Sequence, residues 1–380
     1  KTEALPAAGS IRTGGTARVA GGNWQVASLT IATLAAAEGE LPSAPPLGRT
    51  YAIADLRNAQ DQVATLDYAD KSQPVLSIGE AVRLADLALQ GLAMHAEDGA
   101  ATVGSRQFAC PECGSDVKVE LAGTLSVTCA SCRSVIDVSN GIGGELKAWR
   151  QQRPVSLRIP LASSGTISVA GGPAVDWQVV GFQRKRSDHS DFSERFSWSE
   201  YLLYNRTEGF AFLVDSMEGW VGFRTLTGAP ARVGAQTLSV EWQGGKYRRT
   251  DGYGASVEYV EGEFYWKVEK DQKSQLEDYE GMGTRVRERL SRETGDGETI
   301  WSRGSILPYT YLQRAFGLAA LATPTSALDS DVGPSSDGEL NWPSILFIIV
   351  IIILLQIADC SDGDNDYHGG GYSSMGGGHK

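Results

Sequence analysis

Histidine is scarce in this 380-residue chain, which has only four, and several catalytic signatures are missing altogether. The sequence contains no nucleophile elbow, no phosphate-binding loop and no His-Glu-x-x-His motif. A catalytic site needs a base within reach of a nucleophile, and no such combination stands out. The sequence therefore favours a protein that is not an enzyme.

Positive charge is also in short supply, since 34 Lys and Arg residues face 46 Asp and Glu residues and the net charge is -12 at pH 7. Between Glu97 and Arg150, five basic residues are set against seven acidic ones. Nucleic-acid binding depends on basic faces that neutralise phosphates. We therefore expect no nucleic-acid partner.

Cysteine is rare as well, with five in the chain, but its spacing is informative. Four of the five form two Cys-x2-Cys pairs, namely Cys110, Cys113, Cys129 and Cys132. Two such pairs separated by fifteen residues are typical of a zinc ribbon, in which two tight turns each supply two thiolates. Four thiolates fill a tetrahedral shell and leave no position for substrate, so we predict a structural zinc ion in a ribbon over residues 105–140.

Two disulfides or a redox-active Cys-x-x-Cys are the alternatives for these cysteines. A redox site needs one such motif rather than two, together with a helix N-terminus that lowers a thiol pKa. Here the first pair leads into Gly114, which suits a turn. Metal binding is therefore the favoured interpretation, and a reducing compartment follows from it.

One long apolar run lies near the C-terminus. No polar residue occurs from Ile345 to Leu355, and Trp342 stands where an interfacial aromatic would. A buried core element is the alternative, but a flexible linker (319–341) precedes the run and a Gly-rich tail (359–380) follows it. We predict a single-pass transmembrane helix over residues 342–358 and a disordered tail. The reducing compartment implied by the metal-binding cysteines favours a cytoplasmic main body.

An internal repeat indicates duplication. Gly21-Gly22-Asn23-Trp24 recurs as Gly244-Gly245-Lys246-Tyr247, and Glu38-Gly39-Glu40 recurs as Glu261-Gly262-Glu263, at a constant interval of 223 positions. An interval of this length indicates duplicated domains rather than a solenoid. We expect residues 1–95 to be the C-terminal part of a first copy whose front half lies upstream of Lys1, and residues 155–318 to be a complete second copy.

The pattern of the body is that of a mainly β fold. Four segments of the second copy are rich in aromatic and β-branched residues and are separated by turn formers: 177–183, 198–204, 210–214 and 220–224. They predict an antiparallel meander. Helical patterns are few and predict helices at 80–94, 284–292 and 309–321. Trp177, Trp198, Trp220, Trp242 and Trp266 are expected in the core rather than in a ligand-binding cage.

Three carboxylates near aromatic strands are the candidates for chemistry or ligand binding: Glu200, Glu261 and Glu263. Alternation would place Glu261 and Glu263 on one face of a strand, and paired carboxylates can act as acid and base or hold a cation. The same Glu-Gly-Glu motif occurs in the first copy, however, and a feature shared by both copies is more economically structural.

Taken together, these residues resemble the bacterial family named domain of unknown function 4178. The resemblance rests on the strands Trp198–Asn205, Gly209–Asp215 and Val260–Trp266, on the ribbon, and on the C-terminal helix with its Gly-Gly-Gly-His-Lys380 ending. It implies a zinc ribbon, a duplicated β domain and a membrane helix, and genes that often lie beside polyamine-synthesis-like enzymes. It implies no reaction, because none is assigned to the family.

We therefore expect a membrane-anchored, non-enzymatic binding or scaffold protein that acts with a membrane-associated or stress-related protein complex. The alternative is a carboxylate-based enzyme or sensor for a small cationic ligand such as a polyamine.

Overall fold

A computed structural model describes residues 4–40, 47–70, 74–82, 87, 106–142, 146–151, 154–189, 195–233 and 238–318. The predicted mainly β fold is confirmed, since the described residues form twenty-one strands and a single α-helix. The strands are β1 (Thr16–Val19), β2 (Gly22–Thr33), β3 (Thr50–Arg57), β4 (Gln62–Asp67), β5 (Val75–Glu80), β6 (Arg106–Ala109), β7 (Asp116–Val119), β8 (Ser126–Thr128), β9 (Val135–Asp137), β10 (Lys147–Trp149), β11 (Ser164–Ser168), β12 (Ala174–Ser187), β13 (Ser197–Asn205), β14 (Gly209–Ser216), β15 (Gly219–Thr225), β16 (Ala231–Arg232), β17 (Ser239–Trp242), β18 (Gly245–Phe264), β19 (Lys273–Gly281), β20 (Glu288–Gly295) and β21 (Glu298–Leu307). The helix, α1, spans Tyr309–Phe316.

Eight of these strands form a closed antiparallel barrel. The meander β12–β15 pairs at one end with β21, and β21, β20, β19 and β18 follow in a second meander. Pairing of β18 with β12 closes the ring. A closed barrel removes exposed sheet edges, and alternate residues of every strand face its interior.

Ten of the remaining strands form an N-terminal sheet and the cysteine-rich segment, while β11 pairs with β12, and β17 pairs with β16 and β18. Strands β1 to β5 pair in sequence order, and this sheet meets the barrel where Ser28 of β2 pairs with Glu298 of β21. In the cysteine-rich segment β6 pairs with β7, and β8, β9 and β10 form a second small sheet that adds to β18 of the barrel.

The N-terminal sheet and the second half of the barrel follow the same spacing along the chain. Strands β1, β2, β3 and β5 begin at residues 16, 22, 50 and 75, and β17, β18, β19 and β21 begin 223 positions later, at 239, 245, 273 and 298. The two hairpin turns also agree, since φ is 49° and 76° at Ala20 and Gly21 and 45° and 73° at Gln243 and Gly244. Two consecutive positive φ angles are the mark of a type I′ turn, in which glycine is favoured.

The largest apolar cluster lies between the outer face of β12–β15, strand β11 and helix α1. Tyr201 stacks on Trp220 with ring centroids 5.7 Å apart, and Leu312 and Phe316 of the helix are buried against this face. Gly165 lets the helix approach, because a Cβ there would stand 2.9 Å from the Phe316 ring. Four of the five tryptophans predicted for the core, Trp177, Trp198, Trp220 and Trp242, are at most 4% exposed.

One helix predicted from the sequence is absent from the structure. A helix at 284–292 is wrong, because residues 288–295 form β20 between β19 and β21. Among the described residues, none of the helices has the length and hydrophobicity needed to cross a membrane. The predicted linker, transmembrane helix and tail (319–341, 342–358 and 359–380) lie outside the described residues.

Candidate metal centre and carboxylate clusters

The four clustered cysteines lie in two equivalent turns. In each turn the first cysteine accepts a hydrogen bond at its carbonyl from the residue four positions later, with N···O distances of 2.8 Å from Gly114 to Cys110 and 2.8 Å from Arg133 to Cys129. Both donors have positive φ, 75° at Gly114 and 61° at Arg133. This conformation folds each Cys-x2-Cys segment back on itself and directs both thiols of the turn to the same side.

The turns bring all four thiols together. The Sγ atoms of Cys110, Cys113, Cys129 and Cys132 lie within 4.8 Å of one another, and the 110–132 and 113–129 pairs are each 3.7 Å apart. Thiolates at about 2.3 Å around a tetrahedral ion stand about 3.8 Å apart. All four cysteines are free thiols. The cluster could therefore hold a metal ion without rearrangement.

The environments of the thiols differ. Burial raises the pKa of Cys110 to about 12, whereas hydrogen bonds from Ser115 lower the pKa of Cys113 to about 6. Burial opposes ionisation of Cys132, yet hydrogen bonds from Ser134 leave its pKa lowered. Since a metal binds thiolates, loading of this site releases protons, most evidently from Cys110.

Glu263 lies beside this ribbon rather than in a ligand pocket. Its carboxylate accepts hydrogen bonds from the backbone N–H of Glu120 at 2.8 Å, the N–H of Leu121 at 3.1 Å and the hydroxyl of Thr124 at 2.6 Å. All three donors belong to the loop that joins β7 to β8. Both oxygens of Glu263 are therefore used in a contact between the barrel and the ribbon.

Glu261 and Glu200 lie on opposite faces of the barrel wall. Glu261 is paired with Phe182 and Glu200 with Gln183, and these two neighbours in β12 alternate between the faces. Glu261 accepts a hydrogen bond from the Tyr259 hydroxyl at 2.9 Å. The structure thus gives each of the three carboxylates that the sequence singled out different hydrogen-bond partners.

Glu200 belongs to a buried charged cluster inside the barrel. Its carboxylate accepts hydrogen bonds from Gln183 at 2.5 Å and Trp198 at 2.6 Å, and it lies 3.3 Å from the Lys185 ammonium. Lys185 also contacts Glu293 at 2.8 Å. Strands β12 and β20, which carry Lys185 and Glu293, are not neighbours in the barrel, so this ion pair crosses its interior.

The electrostatics of the cluster favour the charged forms. Burial opposes the ammonium of Lys185, but the two carboxylates raise its pKa above the ordinary lysine value. Burial likewise opposes the carboxylate of Glu293, and Lys185 nevertheless holds the pKa of Glu293 below its ordinary value. Lys185 and Glu293 are therefore ionised together near neutral pH.

A fourth interior group, Asp278, has no cation among its hydrogen-bond partners in the described residues. It accepts hydrogen bonds from the hydroxyls of Tyr253 at 2.7 Å and Ser291 at 2.9 Å. Burial raises the pKa of Asp278 above its ordinary value.

Residues 173–308 match the family model for a domain of unknown function, DUF4178. The matched range covers all eight barrel strands, from Ala174 to Leu307, and leaves the N-terminal sheet and the ribbon outside it. Neither the curated proteins nor the solved structures gave a match to this chain.

Sequence reasoning missed Asp278 of the DUF4178 region, although a signal was present. Asp55 lies 223 positions earlier and also accepts hydrogen bonds from two hydroxyls, those of Ser28 at 2.9 Å and Thr65 at 3.0 Å. Thr65 faces Asp55 across two strands just as Ser291 faces Asp278. An aspartate at the repeat interval would have pointed to both clusters.

Proposed function

We propose that this chain is a membrane-anchored, non-enzymatic binding or scaffold protein with a structural zinc ion in its cysteine ribbon. The main support is the closed set of four thiols, which leaves no coordination position for a substrate or water. Thiolate sets of this geometry suit Zn²⁺. Such an ion contributes folding free energy to a small segment and supplies no chemistry.

The positions of the candidate carboxylates support a non-enzymatic role. Glu263 is occupied by the ribbon and Glu261 by a tyrosine hydroxyl, and Glu200 is neutralised by Lys185. A general base needs a free lone pair within reach of a substrate proton. These carboxylates act as internal hydrogen-bond acceptors instead.

A duplicated β domain is part of the same proposal. The constant interval of 223 positions between strand starts, the matching type I′ turns and the matching Asp55 and Asp278 clusters support it. In this proposal the N-terminal sheet is the counterpart of β17–β21. Two related β units on one membrane anchor would present a surface to a membrane-associated protein partner on the cytoplasmic side. Nucleic acid is not a partner in this proposal.

The zinc proposal is tested by metal analysis of the purified chain. We expect about one zinc per chain, and we expect Cys129→Ser to lose it while the barrel remains folded, because the barrel has its own core. Cys360→Ser is the matched control, since this fifth cysteine lies outside the cluster. Absence of zinc, with all four thiols alkylated in native buffer, would remove the proposal.

The anchor is tested by deletion. Removing residues 342–380 should shift the protein from the membrane pellet to the supernatant after ultracentrifugation, whereas removing 359–380 alone should leave it in the pellet. Sedimentation of the shorter chain with membranes would contradict a single anchor at 342–358.

A second candidate function is binding of a small cation, such as a polyamine, inside the barrel. The observation that favours it is the charge balance of this cluster, where Glu200, Glu293 and Asp278 accompany the ammonium of Lys185 among the described residues. Thermal shifts with millimolar spermidine test it. Stabilisation that disappears in Asp278→Asn but persists in Glu261→Gln would favour this candidate, and no shift would leave the scaffold proposal ahead.

A further inference from the structure

The ribbon and the barrel share a continuous hydrogen-bonded sheet. Val127 of β8 pairs with Glu263 of β18, and the backbone N–H of Leu125 donates to the carbonyl of Phe264 at 2.8 Å. The N–H of Val268 donates to the hydroxyl of Ser126 at 2.9 Å. The ribbon is thus docked by directed bonds along one edge of the barrel.

Glu263 binds the part of the ribbon that links its two cysteine turns. The first turn (110–114) lies between β6 and β7, the second (129–133) lies between β8 and β9, and residues 120–124 connect the two halves. Three donors from this connection converge on the one carboxylate. Thr124 is only 3% exposed, so water cannot easily replace Glu263 as the acceptor for its hydroxyl. Hydrogen bonds to an ionised acceptor are stronger than neutral ones.

The second cysteine turn is also held against β18. Gln151 donates from one side-chain nitrogen to the carbonyls of Arg133 and Val260, each at 2.8 Å, and accepts from the N–H of Val260 at 2.7 Å. The hydroxyl of Thr128 donates to the carbonyl of Gly262 at 3.0 Å. The backbone beside both Cys129 and Cys132 is therefore positioned by contacts with the barrel.

A metal ion would connect these contacts to one another. The ribbon has a small core of its own, built from the cysteines and a few short aliphatic residues. Segments of this size usually need a metal to fix their conformation. The ion joins the two turns, and Glu263 fixes the connection between them to the barrel.

We propose that Glu263 is a positioning residue that couples metal binding in the ribbon to docking of the ribbon on the barrel. This inference rests on the proposed metal site. If docking of the ribbon on the barrel raises the affinity of the ribbon for metal by some factor, thermodynamic linkage requires that metal binding raises the docking equilibrium constant by the same factor. Loss of the metal then uncovers the edge of β18 at residues 262–264, which is a surface for pairing with another strand.

The test compares Glu263→Gln with Glu261→Gln in the full chain. The two variants make the same chemical change two residues apart, and Glu261 contacts only Tyr259 among its described hydrogen-bond partners. A glutamine at 263 keeps one acceptor oxygen and loses the charge that three donors share. We expect zinc release to a chromogenic chelator to become about 10- to 100-fold faster, which is the range for losing hydrogen bonds to a charged group.

Hydrogen exchange supplies a site-specific readout. The amides of Glu120 and Leu121 donate directly to Glu263, so both should exchange faster in Glu263→Gln by a similar factor, and faster still in the zinc-free wild-type chain. Glu261→Gln should match wild type in both measurements. Thr124→Val, which removes one donor and keeps the charge, should give a smaller acceleration.

Three results would overturn the coupling. Zinc release from Glu263→Gln at the wild-type rate would do so, as would equal acceleration in Glu261→Gln, because the effect would then be one of net charge. If Glu263→Gln fails to fold, the Thr124→Val variant carries the test, and wild-type release from it overturns the proposal. Metal analysis of the wild-type chain comes first. Absence of bound metal would refute the zinc proposal itself, and this result is distinct from a failure of the coupling proposal.

Discussion

Replacement of Lys185 by methionine is the sharpest test of the barrel interior. The Lys185 side chain is 5% exposed and its ammonium lies between Glu293 at 2.8 Å and Glu200 at 3.3 Å. Methionine keeps the unbranched shape and removes the charge. The two carboxylates then remain in the interior without a cation.

The expected cost follows from the burial of the partners. Breaking a buried ion pair by removal of one partner costs about 3–5 kcal/mol, because the remaining charge is uncompensated. Glu200 is 11% exposed, but Glu293 keeps 38% of its side-chain surface, so solvent screens part of the loss. We therefore take the lower end, about 3 kcal/mol. For a domain of this size that corresponds to a fall in Tm of about 6–12 °C.

The pKa shifts of Lys185 and Glu293 determine how their contribution to stability changes with pH. The pKa of Lys185 is raised in the folded state, so its contribution is fully present below the ordinary lysine pKa and is lost at higher pH. The pKa of Glu293 is lowered, so its contribution is present above the ordinary glutamate pKa and is lost as pH falls through the folded pKa. The difference between wild type and Lys185→Met should be largest between about pH 5 and pH 9 and should shrink in acid.

Urea unfolding of the chain lacking residues 342–380 provides the measurement. The double variant Lys185→Met/Glu293→Gln should recover part of the loss, since it removes one uncompensated carboxylate. A loss below about 1 kcal/mol, the scale of an exposed ion pair, would refute the argument that the cluster is buried. So would a double variant less stable than Lys185→Met.

Two further predictions concern single positions of the barrel. Asp278→Asn should remove a contribution that lowers stability as pH rises above about 4, because a carboxyl with a raised folded pKa binds more protons folded than unfolded in that window. The stability of Asp278→Asn relative to wild type should therefore rise with pH there, and a constant difference would contradict the burial of Asp278. Gly262→Ala should destabilise by about 2–3 kcal/mol, since φ is 99° and an added Cβ would stand 2.3 Å from the Val180 carbonyl oxygen. Gly209→Ala is its control, because φ is 74° there but the added Cβ has open space, so only about 1 kcal/mol of strain is expected; equal costs would refute the steric argument.

Much of the strand content was predictable because alternation along a strand is a local signal. The segments at 198–204, 210–214 and 220–224 all lie within β13, β14 and β15. Local signals failed at 284–292, where a helical pattern is overridden by pairing on both sides with β19 and β21. Closure of the barrel could not be predicted, since β12 pairs with β18 only through residues 68 to 81 positions apart.

The candidate sites divide in the same way. The cysteine cluster could be predicted from spacing, because a Cys-x2-Cys turn is defined within six residues. The role of Glu263 could not, since its three donors lie 139 to 143 positions away. Lys185 gave no signal either: it lies between Arg184 and Arg186 in the sequence, and only the barrel turns it inward.

The repeat also helps to separate structural carboxylates from candidates for binding. Glu293 pairs with Leu276, and the residue at the corresponding place in the N-terminal sheet is Asp67, which pairs with Ile53. Two carboxylates on the same sheet face, Asp55 with Asp67 and Asp278 with Glu293, therefore belong to the shared pattern. Asp67 lies in an open sheet and accepts a hydrogen bond from the N–H of Ala69 at 2.7 Å, whereas Glu293 contacts Lys185 of the barrel.

Lys185 belongs to β12, which has no counterpart among the described strands of the N-terminal sheet. The lysine is therefore a feature of the closed barrel and not of the repeat. Lys185 neutralises Glu293 in the barrel, whereas water can solvate Asp67 at the corresponding place in the open N-terminal sheet. That makes the contact between Lys185 and Glu293 an adaptation to burial and a poor candidate for ligand binding. Asp278 has no such cation among its described hydrogen-bond partners, and any cation bound inside the barrel is therefore expected at Asp278.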